Sequence, residues 1–374
     1  MDRSSLQMKV KAKLKATGLP RVLGALALTA VAGPSQAQSN VTIYGILDAG
    51  VTHVRNGGGP SRTLLDTGVM QASRLGFRGS EDLGGGLKAL FVLEQGILLD
   101  TGSLGQGGLA FGRQSWVGLS DARLGTLTLG RQYDFMFDSL VSFTNAAVSA
   151  GGYANNPLDN DRLSGQRVNN SIKYQSPSIA GFSAGALVAL AEAPGGGVRG
   201  AGFSRSFGAS YARGPLGVSA AYTYLQGATV DMRSLVNAST AVVLGGNYSR
   251  TFGIGGSYKA SPSITLHAIA NESKFEGATS ASKGRFRNYD GGIAYRPGAD
   301  WSLGFAYGMT RLLGRDYQQA NLTADYFFSK RTDAYVQAIR QQARGDAAAA
   351  SIFLLPGAPG RDQTALRVGL RHRF

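Results

Sequence analysis

Trp301-Ser302-Leu303-Gly304-Phe305-Ala306-Tyr307-Gly308-Met309-Thr310 decides the architecture. Its odd positions are large and apolar, and its even positions are small or hydroxylated. Successive side chains of a strand point to opposite faces, whereas a helix would scatter both sets around its circumference. The stretch is therefore a strand with one greasy face and one small, polar face. The C-terminal segment repeats the arrangement with charge: Leu366, Val368, Leu370 and Phe374 alternate with Arg367, Gly369, Arg371 and Arg373. An arginine turned to lipid near the bilayer midplane costs about 2–4 kcal/mol. Three on one strand would be prohibitive, so that face is expected to look into water while the other meets hydrocarbon.

The same period recurs from Val41 to the C-terminus, in sixteen segments closed by turns: 41–54, 68–80, 86–99, 111–121, 124–132, 167–176, 181–190, 203–213, 216–226, 247–259, 262–275, 285–296, 300–312, 315–328, 331–342 and 364–374. An even count is what bacterial single-chain barrels need, and a thirteen-residue strand tilted near 45° rises roughly 30 Å, enough to cross the apolar band. The fold expected is thus all-β, a 16-stranded antiparallel transmembrane β-barrel. Connectors such as 81–85, 121–123, 214–215 and 329–330 are short, and between them lie longer Gly-rich loops, the asymmetry of such barrels. The longest connector, Tyr133 to Gln166, follows the fifth segment, and so long a loop calls for a function. The connection at Leu313-Gly314 is unusually short for the outer side.

The N-terminus reads as an export signal. Lys9, Lys11, Lys13, Lys15 and Arg21 precede the apolar run Val22 to Ala32, and Ser35-Gln36-Ala37 offers small residues for cleavage after Ala37. Residues 1–37 are accordingly expected to be the signal peptide and 38–374 the barrel, with Met8 an alternative start. The chain of 374 residues carries a formal charge of +15, of which +10 remains once the leader is removed. Export and the scatter of arginines along strands argue against nucleic acid as the partner, although a basic balance alone would suggest it. The chain has no cysteine, which excludes disulfides and thiolate metal sites.

Little in the chain speaks for catalysis or a cofactor. His53, His267 and His372 are far apart and lack metal-ligand spacing. Ser263 lies four residues from His267, but inside an ordinary strand pattern, so no enzyme, metal site or cofactor is expected. Gly84-Gly85-Gly86 and Gly195-Gly196-Gly197 sit in turns with no helix behind them to cradle a phosphate. The stronger signal is arginine within strands. Arg74 and Arg78 oppose Leu75 and Phe77, and Lys88 and Glu94 oppose Leu87, Phe91 and Leu93. Arg113, Arg131, Arg167 and Lys173 fall on the next strands. Singly, each would read as a solvated lumen group; as a set on five consecutive strands they suggest a shared basic wall.

These residues also carry a resemblance. Val41-Thr42-Ile43-Tyr44-Gly45, Ser73 to Gly84, Phe111-Gly112-Arg113-Gln114, Leu129-Gly130-Arg131-Gln132-Tyr133 and the terminal Phe374 resemble the trimeric general porins of Gram-negative bacteria, most closely the anion-preferring β-proteobacterial branch. The resemblance implies a third outer loop folded into the lumen as a constriction, a place the 133–166 connector would take. It implies that Arg74, Arg113 and Arg167 form an arginine ladder with Arg131 and Arg78 as lumen neighbours. Glu94 matches a wall glutamate, and Asp138 and Asp159 would be the loop carboxylates, although the Pro-Glu-Phe-Gly stretch of enteric members is missing. Phe374 would be the signal read by the barrel-insertion machinery. A homotrimer in contact with outer-membrane lipid and lipopolysaccharide, passing small ionic solutes by diffusion, is the implied assembly. A substrate-specific anion channel and a sealed adhesin barrel are alternatives that conductance would separate.

Overall fold

The computed structural model describes residues 40–191, 200, 202–345 and 348–374; the expected leader and Gly195-Gly196-Gly197 lie outside them. Sixteen antiparallel strands close into one barrel. They are β1 (Asn40–Arg55), β2 in two halves (Arg62–Thr67 and Arg74–Gly84), β3 (Leu87–Gly96), β4 (Gln114–Asp121), β5 (Gly125–Tyr133), β6 (Arg167–Gln175), β7 (Phe182–Ala189) and β8 (Ser204–Arg213). The second half comprises β9 (Leu216–Gln226), β10 (Tyr248–Lys259), β11 (Ile264–Glu276), β12 (Gly284–Tyr295), β13 (Trp301–Leu312), β14 (Arg315–Phe327), β15 (Thr332–Arg344) and β16 (Asp362–Arg373). Each pairs with its neighbours in sequence, and β1 closes on β16 with Gly50 opposite Gly369 and Val51 opposite Val368. Gly45 and Phe374 exchange backbone hydrogen bonds of 3.0 and 3.1 Å at the end of this seam.

The two faces sort as the period-two pattern requires, in an order opposite to that of a soluble protein. Leu366, Val368 and Leu370 are 53, 60 and 54% exposed, whereas Ala365, Arg367 and Arg371 are buried. In β13, Trp301, Phe305 and Tyr307 are exposed while Ala306 is fully buried. A closed sheet has no unpaired edge, so its outer face can meet hydrocarbon with every backbone group satisfied.

The second strand departs from expectation. The segment expected at 68–80 is instead a break at 68–73, with strand on both sides: Arg62–Thr67 pairs with the outer half of β1, and Arg74–Gly84 with the inner half. Gly68 turns the chain at φ +68°. Asp48 accepts the Val69 amide at 3.1 Å and gives its own amide to Ser73 Oγ at 3.0 Å, so side chains replace the lost ladder bonds. Adjacent Leu64 and Leu65 blur the alternation, which is why Arg62–Thr67 escapes a periodicity reading. Smaller corrections are that β3 ends at Gly96 rather than 99 and β4 starts at Gln114 rather than 111. One outer connector carries its own hairpin, Thr229–Asp231 with Val243–Gly245. The short connection at Leu313-Gly314 is real: both residues have positive φ (46° and 75°), the signature of a two-residue hairpin turn.

The long connector is ordered by local caps. Asp134 accepts the Phe137 amide at the start of α1 (Phe135–Leu140), and Thr144 accepts the Ala147 amide at the start of α2 (Asn145–Val148). Both are preferred N-cap residues, because they satisfy amides that have no partner within the helix. Phe135 then packs on Gly185 and Gly208, Leu140 on Gly253, and Phe143 on Gly255, while the Val148 carbonyl meets Gly304. All of these glycines lie on the face opposite the exposed apolar one. A Cβ at Gly208 would stand 2.6 Å from the Phe135 ring, so the glycines leave the groove in which the connector's apolar side chains sit. Phe135, Met136, Leu140 and Phe143 form one core cluster with Leu187, Ala221 and Ile269 of the wall.

Candidate functional site

Two of the expected arginines, Arg74 and Arg113, meet at one carboxylate, and two more join them through tyrosines. Glu94 of β3 accepts the Arg113 Nε at 2.7 Å and the Tyr44 hydroxyl at 3.0 Å, and Arg74 Nη1 lies 3.8 Å away. Arg113 and Arg167 both donate to the Tyr133 hydroxyl at 2.9 Å, and the Arg167 guanidinium stacks 4.8 Å from that ring. Arg78 lies over the Tyr44 ring at 5.3 Å. The result is a connected row from Arg78 through Tyr44, Arg74, Glu94, Arg113 and Tyr133 to Arg167. The planar guanidinium fork suits both the carboxylate and the aromatic faces, so each cation is held in a fixed direction.

Arg131 parts from this row. It stands opposite Ser115 on the parity of exposed Val117, Leu119, Leu127 and Leu129, and its guanidinium bonds the Gly112 carbonyl at 2.8 Å and the Asn169 side chain. The register slips between Gly130 and Gln132. A bulge of this kind re-aims every side chain after it, so counting parity through it fails.

Of the two connector carboxylates, Asp138 meets the wall through an ion pair with Lys173. Asp159 is engaged within the connector, accepting the Ser164 amide and the Gln166 Nε2, each at 2.8 Å. Burial, reinforced by the charge of Asp161, pushes its carboxyl up to about 7. Asp134, not singled out from sequence, accepts from Arg162 Nε inside the same loop.

Two polar networks fasten the connector to the far wall. Arg367 has no exposed side-chain surface: it reaches Thr52 at 3.0 Å, Tyr335 at 3.2 Å and Asp48 at 3.4 Å, and pairs with Asp66. The connector's Tyr153 joins this group through Thr52 and Asp66. The expectation that the arginines of the last strand face open water is therefore corrected for Arg367, whose surroundings are carboxylates and hydroxyls. Farther round, Asp161 accepts from Asn156 at 2.7 Å and Asn271 at 2.9 Å, and Asn160 and Asn288 exchange amide bonds. His267 bonds the connector's Asn145 at 3.1 Å, not Ser263, and so serves packing. No group of three His, Cys, Asp or Glu suited to a metal occurs among the described residues.

Sequence reasoning missed the two phenols that join the arginines. For Tyr44 the signal existed: it alternates with Val41 and Ile43, both exposed, which puts it on the face of Arg74. Tyr133 comes after the bulge, and no local pattern marks it.

Comparison with known proteins identifies the family of the barrel. A family model described as Gram-negative porin matches residues 24–346. An outer membrane porin protein of Bordetella pertussis is 32% identical over 63% of this chain and 65% of its own length. Outer membrane porin protein 32 of Delftia acidovorans is 31% identical over 95% of this chain and 100% of its own. Among solved structures, the anion-selective porin from Comamonas acidovorans superposes with a TM-score of 0.75 at 28% identity, covering 90% of this chain and all of that one.

Proposed function

Because the chain belongs to the Gram-negative porin family, we propose that its bore prefers small anions and that Arg74, Arg113 and Arg167 set the preference. It is an outer-membrane channel for passive diffusion of small hydrophilic solutes. The observation that carries the anion reading is a row of three guanidinium groups with a single carboxylate among them: Arg74 and Arg113 flank Glu94, and Arg167 joins Arg113 through the Tyr133 hydroxyl. The connector, packed on the inner face of the wall through Phe135, Leu140 and Phe143, would narrow the bore beside this row, with Asp138, paired with Lys173 of the strand that carries Arg167, as its acidic contribution. In a narrow passage with low-dielectric walls, such a surplus raises the local concentration of anions. Two unit charges 4 Å apart interact by about 1 kcal/mol in bulk water and about 4 at an effective dielectric of 20, so narrowness contributes as much as charge. The solved relative named anion-selective supports this reading.

Reversal potentials across a salt gradient test it. Wild type should favour chloride over potassium, and Arg74→Gln combined with Arg167→Gln should lose most of that preference. A cation-preferring wild type, or an unchanged double variant, would refute it.

The assembly proposed is a homotrimer, supported by the trimer form solved for an outer membrane protein of Vibrio cholerae with the same fold; cross-linking of the detergent-solubilised protein tests it. Lipid contact is supported on the outer face. Arg205, Tyr224, Arg250, Lys274 and Arg285 stand directly opposite one another on five successive strands at the outer-loop end, and Arg287 stands opposite Arg311. Facing cations repel; Glu276 pairs with Lys274, Glu272 with Arg285 and Arg287, and Asp316 with Arg311, so phosphate groups of the outer leaflet are proposed as partners of Arg205 and Arg250, which turn away from the bore. Phe374, packed on Gly45 at the seam, is the proposed assembly signal.

A further inference from the structure

A cavity of about 500 Å³ opens on the inner side of the wall between the connector and the short turns after β12 and β14. Its lining includes Arg296, Lys330, Arg371, Arg373 and Asp325, and its roof is formed by Met70 of the strand break and Val148 of the connector. At about 30 Å³ per water, it has room for a small polyatomic ion with part of its hydration shell. It is separate from the arginine row: none of its lining residues belongs to β3–β6 or touches Glu94.

The charges of this cavity are arranged, not merely gathered. Arg371 Nη2 pairs with Asp325 at 3.0 Å and Asp333 at 2.9 Å, and Arg373 pairs with Asp333 at 2.7 Å. Two carboxylates thus fix two guanidinium groups and neutralise them. Arg296 and Lys330 sit on exposed short turns, and no ion pair among the described residues engages either of them. Two positive charges therefore remain at the cavity's mouth, over a floor of oriented N–H donors. Both charges are on the short-turn side, away from the outer loops.

We propose that this cavity is a second anion station, holding a small oxyanion such as sulfate, phosphate or a carboxylate at the short-turn mouth of the channel. Arg296 and Lys330 draw the ion in, and Arg373, steered by Asp333, donates to its oxygens. Exit from the constriction then leads to a second favourable position rather than to open water, and multi-site occupancy lets one ion displace the next. The inference rests on the bore being an open channel, but not on the arginine row setting its selectivity.

The test is a planar-bilayer recording of the full-length protein inserted in one orientation, in chloride, with sulfate added to one side at a time. Wild type should show saturable sulfate block from the short-turn side, and Arg296→Gln with Lys330→Gln should weaken that block on the order of tenfold, the scale of electrostatic focusing in a charged cleft. Block from the outer-loop side should remain as in wild type, and heat-modifiable electrophoretic mobility would show that the variant barrel is intact. Equal block from the short-turn side in variant and wild type overturns the station. Absence of current in wild type would instead overturn the channel reading, and a cation-selective wild type that still shows the side-specific difference would overturn only the role of the arginine row.

Discussion

Glu94 accepts from Arg113 and Tyr44 and stands beside Arg74, so its charge both anchors the row and opposes it. Glu94→Gln keeps the shape and removes the charge. The expected result is a stronger anion preference by reversal potential together with a lower denaturation midpoint, since breaking a buried pair costs about 3–5 kcal/mol. Unchanged selectivity would place Glu94 off the ion path. Asp159 makes a different prediction. Its carboxyl, held near 7 by burial and by Asp161, is raised above its unfolded value near 4. The docked connector is thus favoured with Asp159 protonated: the penalty is absent below about pH 4 and complete above about pH 7. Protection of residues 157–166 from hydrogen exchange should fall as pH rises through that window, by up to roughly 4 kcal/mol. Asp159→Asn should flatten the dependence. A wild-type loop equally protected at pH 4 and pH 8 would contradict this.

At the scale of elements, the connector and the broken second strand depend on each other. Gly151 has φ +55°, and a Cβ there would collide with the Val69 carbonyl, while the Gly152 amide donates to that carbonyl at 2.6 Å. Gly151→Val should prise the connector from the wall without unfolding the barrel, seen as larger and noisier single-channel conductance at unchanged heat-modifiable mobility. Quiet openings of wild-type size would show that the connector is held elsewhere. The turn at Leu313-Gly314 offers a stabilising change. Leucine in the left-handed region costs about 1–2 kcal/mol, and asparagine tolerates it. Leu313→Asn should therefore raise the stability by up to about 1 kcal/mol, read from the denaturation midpoint; a fall would mean that the exposed leucine side chain contributes more than the backbone strain removes.

For the whole molecule, the proposed selectivity is a property of a field, and fields in water are screened. The Debye length is about 10 Å at 0.1 M salt and about 3 Å at 1 M. Anion preference measured in gradients centred on the two concentrations should shrink markedly at the higher one. Preference that is independent of salt would point to tight dehydrated binding instead of a charged wall.

The strand count, the outward apolar face and the length of the fifth connection were legible in the chain, because parity along a strand is a local property and lipid penalises a misplaced charge heavily; the grouping of Arg74, Arg113 and Arg167 with Glu94 was implied by the resemblance alone. The place of Tyr133 in the row was not legible, because the register slips between Gly130 and Gln132; Arg131 keeps the parity of Leu127 and Leu129, and its expected place in the lumen came from the resemblance. Nor was the burial of Arg367: alternation says which way a side chain points, but whether it meets water depends on what fills the space in front of it. That is decided by contacts between residues hundreds of positions apart, such as Arg367 with Thr52 and Asp48, which form only when the sheet closes and the connector docks on its glycines.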